Sequence, residues 1–235
     1  MIRGKLKGHP IFSKRPLIAG VVTEVAALQK GLVESADILE LRIDMFNLTE
    51  EENIEEIINR ARAFDKPLIA TIRSEKEGGK RFIDDNTRYR IFKSIIPLVD
   101  IIDIELSSEG LFERLKPLIE KENRVLIGSY HNFNETPEDS VIEEIFLRAK
   151  EKGTGIVKIA VTANNREDLI RMASFTIRHR NDNIITISMG EHGKPSRLLF
   201  PVLGSMITYA GLTDSSAPGQ FSVDEMARYF KAFGL

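Results

Sequence analysis

Short runs of Ile, Val and Leu recur along the chain, and most of them alternate with polar residues at every second position. In LELRID, Leu39, Leu41 and Ile43 fall on one face of an extended segment and Glu40, Arg42 and Asp44 on the other. The same alternation puts Thr71 with Arg73, Asp103 with Glu105, and Ser129 with His131. It also sets Lys158 opposite Val157, Ile159 and Val161, because side chains of a strand point alternately to its two faces. These patterns predict strands over 17–22, 38–43, 67–72, 99–106, 124–130, 155–161, 183–188 and 201–209. The last is the least regular, since PVLGSMITYAG also suits a helix.

Amphipathic segments fill the gaps and predict helices over 24–34, 50–64, 86–97, 108–121, 137–151, 165–178, 196–200 (or on to 210) and 222–233. Three carry start signals. Thr49-Glu-Glu-Glu52 and Ser222-Val-Asp-Glu225 are capping-box patterns, and Thr136-Pro137 offers Pro as a first helical residue. Strand and helix in strict alternation imply βα units around a parallel sheet. A doubly wound sheet would cover both faces of its central strands and make them continuously apolar. Here one face is polar, as expected of a (β/α)8 barrel whose aliphatic face meets the helices and whose polar face lines the lumen. The length of 235 residues is near the roughly 250 such barrels use. With no linker or composition break, the expectation is one α/β domain over 1–235, its first sixteen residues an irregular lead-in.

Composition then removes whole classes of function. The net charge of −2 lacks the basic excess that nucleic-acid binding needs. No run reaches the roughly 18–20 apolar residues of a membrane span. The start, MIRGKLKGHPIFSKRP, has no apolar signal core, so the expected compartment is the cytoplasm. Absence of Cys excludes disulfides, thiolate nucleophiles and Cys-ligated metals. The 4 histidines show no paired spacing of a metal site. No glycine-rich phosphate loop occurs either.

Lys158 stands out as an ammonium in an aliphatic strand, costly unless paired or neutral. One reading is a lysine guarding a wet edge strand; the other is an amine nucleophile in a barrel mouth. The nucleophile must be the free base, which asks for a lower pKa through burial and nearby cations. Arg42, Arg73 and Arg197 lie at neighbouring strand ends. His131 is the only histidine ending a predicted strand, a placement suited to general acid–base work. Glu40, Asp103 and Glu105 are candidates for ion pairs with Arg42 and Arg73. The Glu77-Gly78-Gly79 and Ser216–Gln220 segments are expected to loop over the mouth.

Together ADILELRIDMF, TIRSEKEGG, IDIEL, SYHNF, IVKIAV, ISMGEHGKPSR and SAPGQ resemble type I 3-dehydroquinate dehydratase, the Schiff-base dehydratase of the shikimate pathway, from about Leu17 to the C-terminus. The resemblance implies that Lys158 forms an imine with the C3 ketone of 3-dehydroquinate and that His131 moves the C2 proton to the departing C1 hydroxyl. It assigns the substrate carboxylate to Arg197 and the ring hydroxyls to Glu40, Arg73, Ser216 and Gln220. By the same likeness Glu77 is a carboxylate near the histidine, Asp103 orients the imidazole, Arg42 places Glu40, and Phe133 and Met189 are apolar pocket walls. SAPGQ would be a lid that excludes water. No cofactor and no metal are implied, and the expected assembly is a homodimer with no nucleic-acid or membrane partner. The competing reading is a class I aldolase- or transaldolase-like Schiff-base lyase, with GKPSR as its phosphate cradle.

Overall fold

A computed structural model describes residues 15–46, 53–213 and 219–235. Eight parallel strands run in chain order: β1 (Leu17–Val22), β2 (Ile38–Arg42), β3 (Leu68–Thr71), β4 (Ile101–Glu105), β5 (Val125–Asn132), β6 (Ile156–Thr162), β7 (Ile184–Met189) and β8 (Ile207–Gly211). Each pairs with the next through β7, and β8 returns to pair with β1. The seam between β7 and β8 is closed more sparingly. The backbone N–H of Met206 donates to Ile184 O at 2.9 Å, and the Thr186 N–H donates to Ser205 Oγ at 3.0 Å. The result is a nearly closed (β/α)8 barrel, as the alternating strands required.

The helices are α1 (Lys30–Val33), α2 (Ile54–Arg62), α3 (Asp85–Ile95), α4 (Glu109–Lys121), α5 (Asp139–Glu151), α6 (Arg166–Arg178), α7 (Ser196–Leu203) and α8 (Val223–Phe233). Ser222 and Glu225 form the expected capping box of α8. The Thr49–Glu52 pattern and most of the N-terminal lead-in lie outside the described residues. Asn53 caps α2, its side chain accepting from Glu55 N. Pro137 precedes α5 instead of opening it, since the cap is Glu138 and Thr136 Oγ1 donates to Thr162 O at 2.8 Å. The expected helix over 24–34 is broken into a 3-10 turn at Val25–Ala27 and the four residues of α1.

The expected eighth strand is the larger correction. Residues 201–203 belong to α7, Gly204 ends that helix at φ +125, and β8 begins only at Ile207. Pro201 sits inside α7 and has no N–H for the carbonyl of Arg197, four residues earlier. Thr208 Oγ1 on β8 donates to that carbonyl instead, at 2.8 Å. A proline that reads as a strand start is thus a bond between helix and barrel, and it holds Arg197 in place.

Two apolar layers result. Leu39, Leu41, Ile102, Ile104, Val157, Ile159 and Val161 pack outward against the helices. Ala19, Ile38, Ile69, Ile101, Ile127, Ile156, Ile185 and Ile207 fill the lumen at its N-terminal end. The polar face fills the C-terminal end.

Candidate active site

The polar groups of the mouth form one connected network. Lys158 is 4% exposed; its Nζ donates to Asp103 Oδ2 at 2.9 Å and stands 3.6 Å from Glu40 Oε1. Its direct partners are therefore carboxylates, whereas the sequence suggested neighbouring arginines. Arg73 lies beyond Asp103, donating from Nη2 to Asp103 (2.9 Å) and from Nη1 to Glu105 (2.9 Å) and Ser129 Oγ (2.8 Å). Ser129 donates to the other oxygen of Asp103 at 2.6 Å, and Thr71 donates to Glu40 at 2.9 Å. Glu105 is completed by Arg88, a fully buried α3 side chain that also donates to the carbonyl of Ile72. Burial alone would raise the Asp103 carboxyl, but the charges of Arg73 and Lys158 overcome it and hold the group far below the usual carboxylate range.

His131 stands two residues further along β5 than Ser129, above the reach of Asp103. Glu77 makes the hydrogen bonds instead. It lies in the 3-10 turn Glu75–Glu77 after β3, and its Oε2 is 3.0 Å from His131 Nδ1 and accepts the backbone N–H of His131 at 3.0 Å. Gly78 makes this turn possible. Its φ is +85, and a Cβ there would stand 2.5 Å from the ring of Phe133. The imidazole-orienting carboxylate is thus Glu77, while Asp103 serves Arg73, Ser129 and Lys158. Burial, then the charges of Arg73 and Lys158, pull the His131 imidazole well below its ordinary value, so it is neutral near pH 7 and able to accept a proton. Burial pushes Glu77 up to about 7, opposed by a hydrogen bond from Ser107 Oγ and the charge of Arg73.

Arg42 does not reach Glu40. It grips Asp44 from Nε (2.9 Å) and Nη2 (2.8 Å), and Asp44 also accepts the backbone N–H groups of Arg73 (3.1 Å) and Lys80 (3.2 Å). This pair pins the end of β3 and the loop after it, and Thr71 holds Glu40.

Glu40, Arg42, Arg73, Glu77, His131, Phe133, Lys158, Met189, Arg197 and Gln220 line one open cleft of about 580 Å³. Asp103 lies under it, fully buried; Ser216 lies outside the described residues. Arg197, second residue of α7 and 3% exposed, is drawn down by burial to about 10, still cationic near neutrality. Val21, Ala160, Ile187 and Tyr209 complete the wall and were not nominated from the sequence. Alternation along β6 and β7 could have found Ala160 and Ile187, one step beyond Lys158 and Ile185. Among the described residues no group of three or more His, Asp or Glu is arranged to hold a metal ion. The arrangement supplies an amine, a neutral imidazole backed by a carboxylate, and a buried arginine for an anion, within one cleft.

The family described as Type I 3-dehydroquinase matches residues 16–235. A 3-dehydroquinate dehydratase of Thermodesulfovibrio yellowstonii is 45% identical over 224 residues, covering 94% of this chain and 96% of that one. The crystal structure of the 3-dehydroquinate dehydratase from Aquifex aeolicus superposes with a TM-score of 0.82 at 38% identity, over 92% of this chain and 98% of the other. A type I 3-dehydroquinate dehydratase from Clostridium difficile, carrying a covalently modified comenic acid, is similar at TM-score 0.87 and 29% identity, over 97% and 96% of the two chains.

Proposed function

The chain belongs to the type I 3-dehydroquinase family, and on that premise we propose how its mouth carries out the reaction. The activity is that of a carbon–oxygen hydro-lyase, removing water from 3-dehydroquinate in the shikimate pathway. The aldolase-like alternative is not favoured. Its cradle would need the hydroxyl of Ser196, which is instead bonded to the backbone N–H and carbonyl of Ser188.

In the proposed sequence, the Lys158 ammonium gives up a proton and attacks the C3 ketone as the free base. That proton returns to the carbinolamine oxygen, which leaves as water and gives a cationic imine. That nitrogen draws electrons from C2, so neutral His131 removes a C2 proton to leave an enamine. Glu77, 3.0 Å from Nδ1, stabilises the imidazolium formed. The enamine electrons then expel the C1 hydroxyl, which takes the proton from His131 and leaves as water. A second water hydrolyses the imine, returning the amine and releasing 3-dehydroshikimate. Arg197 holds the substrate carboxylate through a planar fork, and Glu40, Arg73, Ser216 and Gln220 meet its hydroxyls. Phe133 and Met189 wall the ring.

The observation that carries this reading is the buried Lys158 amine sharing a cleft with the His131–Glu77 pair. The covalent ligand of the Clostridium difficile relative supports it. Borohydride added during turnover should fix one ligand-sized mass on the peptide containing Lys158, and Lys158→Ala should lose both adduct and turnover. An adduct on another lysine, or an active alanine variant, would sink the mechanism.

Cytoplasmic action and a homodimer belong to the same proposal. Among the described residues no helix is long and apolar enough to cross a membrane. Ile170 and Ile177 on α6 and Leu199 and Val202 on the neighbouring α7 are exposed apolar residues, a face suited to a second copy. Sedimentation of the wild type against Ile170→Lys reads this directly, a monomer in the variant alone being the expected result.

A further inference from the structure

Tyr209 projects from β8 into the lumen two residues beyond Ile207 and is 4% exposed. It lines the cleft, and Lys158 Nζ stands 4.2 Å from the centre of its ring. The carboxylates and arginines around it bond to one another, yet among the described residues the Tyr209 hydroxyl has no hydrogen-bond partner. Burial, then the negative charges of Glu40 and Asp103, push the phenol well above its ordinary value, so the group remains a neutral hydroxyl able to donate and accept. A buried hydroxyl left unpaired costs stability, and phenylalanine would fill the same space without that cost.

Resting on the dehydratase reading above, we propose that Tyr209 contacts the substrate: its hydroxyl hydrogen-bonds a ring oxygen of 3-dehydroquinate, and its ring face stabilises the cationic nitrogen of Lys158 in the imine. The imine nitrogen has fewer donors than the ammonium it replaces. The ammonium has three N–H bonds and can address both Asp103 and Glu40, whereas a protonated imine has one. When the imine forms, its one N–H can keep the hydrogen bond to Asp103, and none is left to turn toward Glu40, 3.6 Å from the nitrogen. The ring face needs no N–H to attract a cation, so it acts on ammonium and imine alike. Asp103 below, Glu40 beside it and the Tyr209 ring occupy three sides of the nitrogen. The substrate carbon must therefore approach from the mouth.

Two variants separate the parts. Tyr209→Phe keeps the ring and removes the hydroxyl; kcat/KM for 3-dehydroquinate should fall about 10-fold or more. Its melting temperature should stay level or rise, since an unpaired buried polar atom has been removed. Tyr209→Leu removes the ring as well, and borohydride-trapped Lys158 adduct should accumulate roughly five-fold more slowly than in Tyr209→Phe. Unchanged kcat/KM in Tyr209→Phe overturns the hydroxyl contact. A lowered melting temperature in that variant means the hydroxyl serves the fold and overturns it too. Equal trapping rates in the two variants overturn the role of the ring. A wild type that turns over 3-dehydroquinate while Tyr209→Phe matches it refutes this inference alone. A wild type with neither turnover nor adduct refutes the dehydratase reading and this inference together.

Discussion

One step of two residues along each strand separates the floor of the lumen from its mouth. Ile38 gives way to Glu40, Ile69 to Thr71, Ile101 to Asp103, Ile127 to Ser129, Ile156 to Lys158 and Ile207 to Tyr209. On a strand that step is about 6–7 Å. All of these residues are buried, none more than 4% exposed. Burial therefore cannot be what distinguishes the two layers. The floor gains from removing apolar area from water, at roughly 25 cal/mol per Å². The mouth removes charges from water, which costs several kcal/mol for each ion unless partners return it, and the closed set Glu40–Lys158–Asp103–Arg73–Glu105–Arg88 supplies those partners. Only β1 and β7 stay apolar at both levels, with Val21 and Ile187 above Ala19 and Ile185. The mouth is thus charged on one side and apolar on the other, a shape suited to a ring that bears oxygens and carbon faces.

If the two layers answer to different demands, single substitutions should divide stability from activity cleanly. The largest divergence is expected at His131, one step further up β5. His131→Ala should lower kcat by about 10²–10⁴-fold, the usual worth of a general acid–base group. The melting temperature should move little, and the borohydride adduct at Lys158 should still form. A rise in KM with kcat untouched would reduce His131 to a binding residue and erase the contrast.

At the floor the division should reverse. Ile101→Ala removes most of a fully buried side chain and should cost about 2–5 kcal/mol of stability, read by denaturant unfolding. The molecules still folded at 25 °C should keep kcat within a few-fold of wild type. A loss of kcat as large as that of His131→Ala would mean the floor positions the chemistry directly, and the two layers would have to be treated as one.

This layering was legible in the sequence because period-two alternation marks which residues share a face: Glu40, Asp103 and Lys158 alternate with aliphatics, and Arg73 and His131 continue the faces begun by Thr71 and Ser129. What alternation does not carry is height, or which neighbour a side chain meets. Asp103 and His131 both face the lumen, but His131 is one step too high for Asp103 to reach, and the carboxylate beside it descends from the turn after β3. Arg42 likewise bonds Asp44, because the mouth end of β2 lies next to the loop that Asp44 secures. Tyr209 escaped notice for a different reason. An eighth strand over 201–209 makes Tyr209 simply its last residue, and only the start at Ile207 shows it to be the mouth position of β8.

The smallest effect is the most particular to the mouth, because it concerns a proton. Glu77 has an ordinary carboxyl value of 4.5 and is raised by burial to about 7. A carboxyl raised on folding holds its proton in the native state where the unfolded chain has released it. Its contribution to stability is therefore fully present below about pH 4.5 and is lost as pH rises through about 7. Activity runs the other way. The imidazolium that His131 forms is stabilised by the ionised Glu77, so kcat should rise with pH along an acid limb near 7. Ser107 opposes the effect of burial, its hydroxyl donating to the second oxygen of Glu77. Ser107→Ala removes that donor, and the limb should move upward by about half to one pH unit, the equivalent of one ordinary hydrogen bond. Ser107→Thr, which keeps the hydroxyl, should return the limb to its original position, as a mere packing role would not. No floor residue has a proton to lose, so Ile101→Ala should leave the limb where it is. A limb that stays put in Ser107→Ala, or that moves equally in Ile101→Ala, would detach the pH dependence from Glu77 and leave the mouth's charges as structural as the isoleucines beneath them.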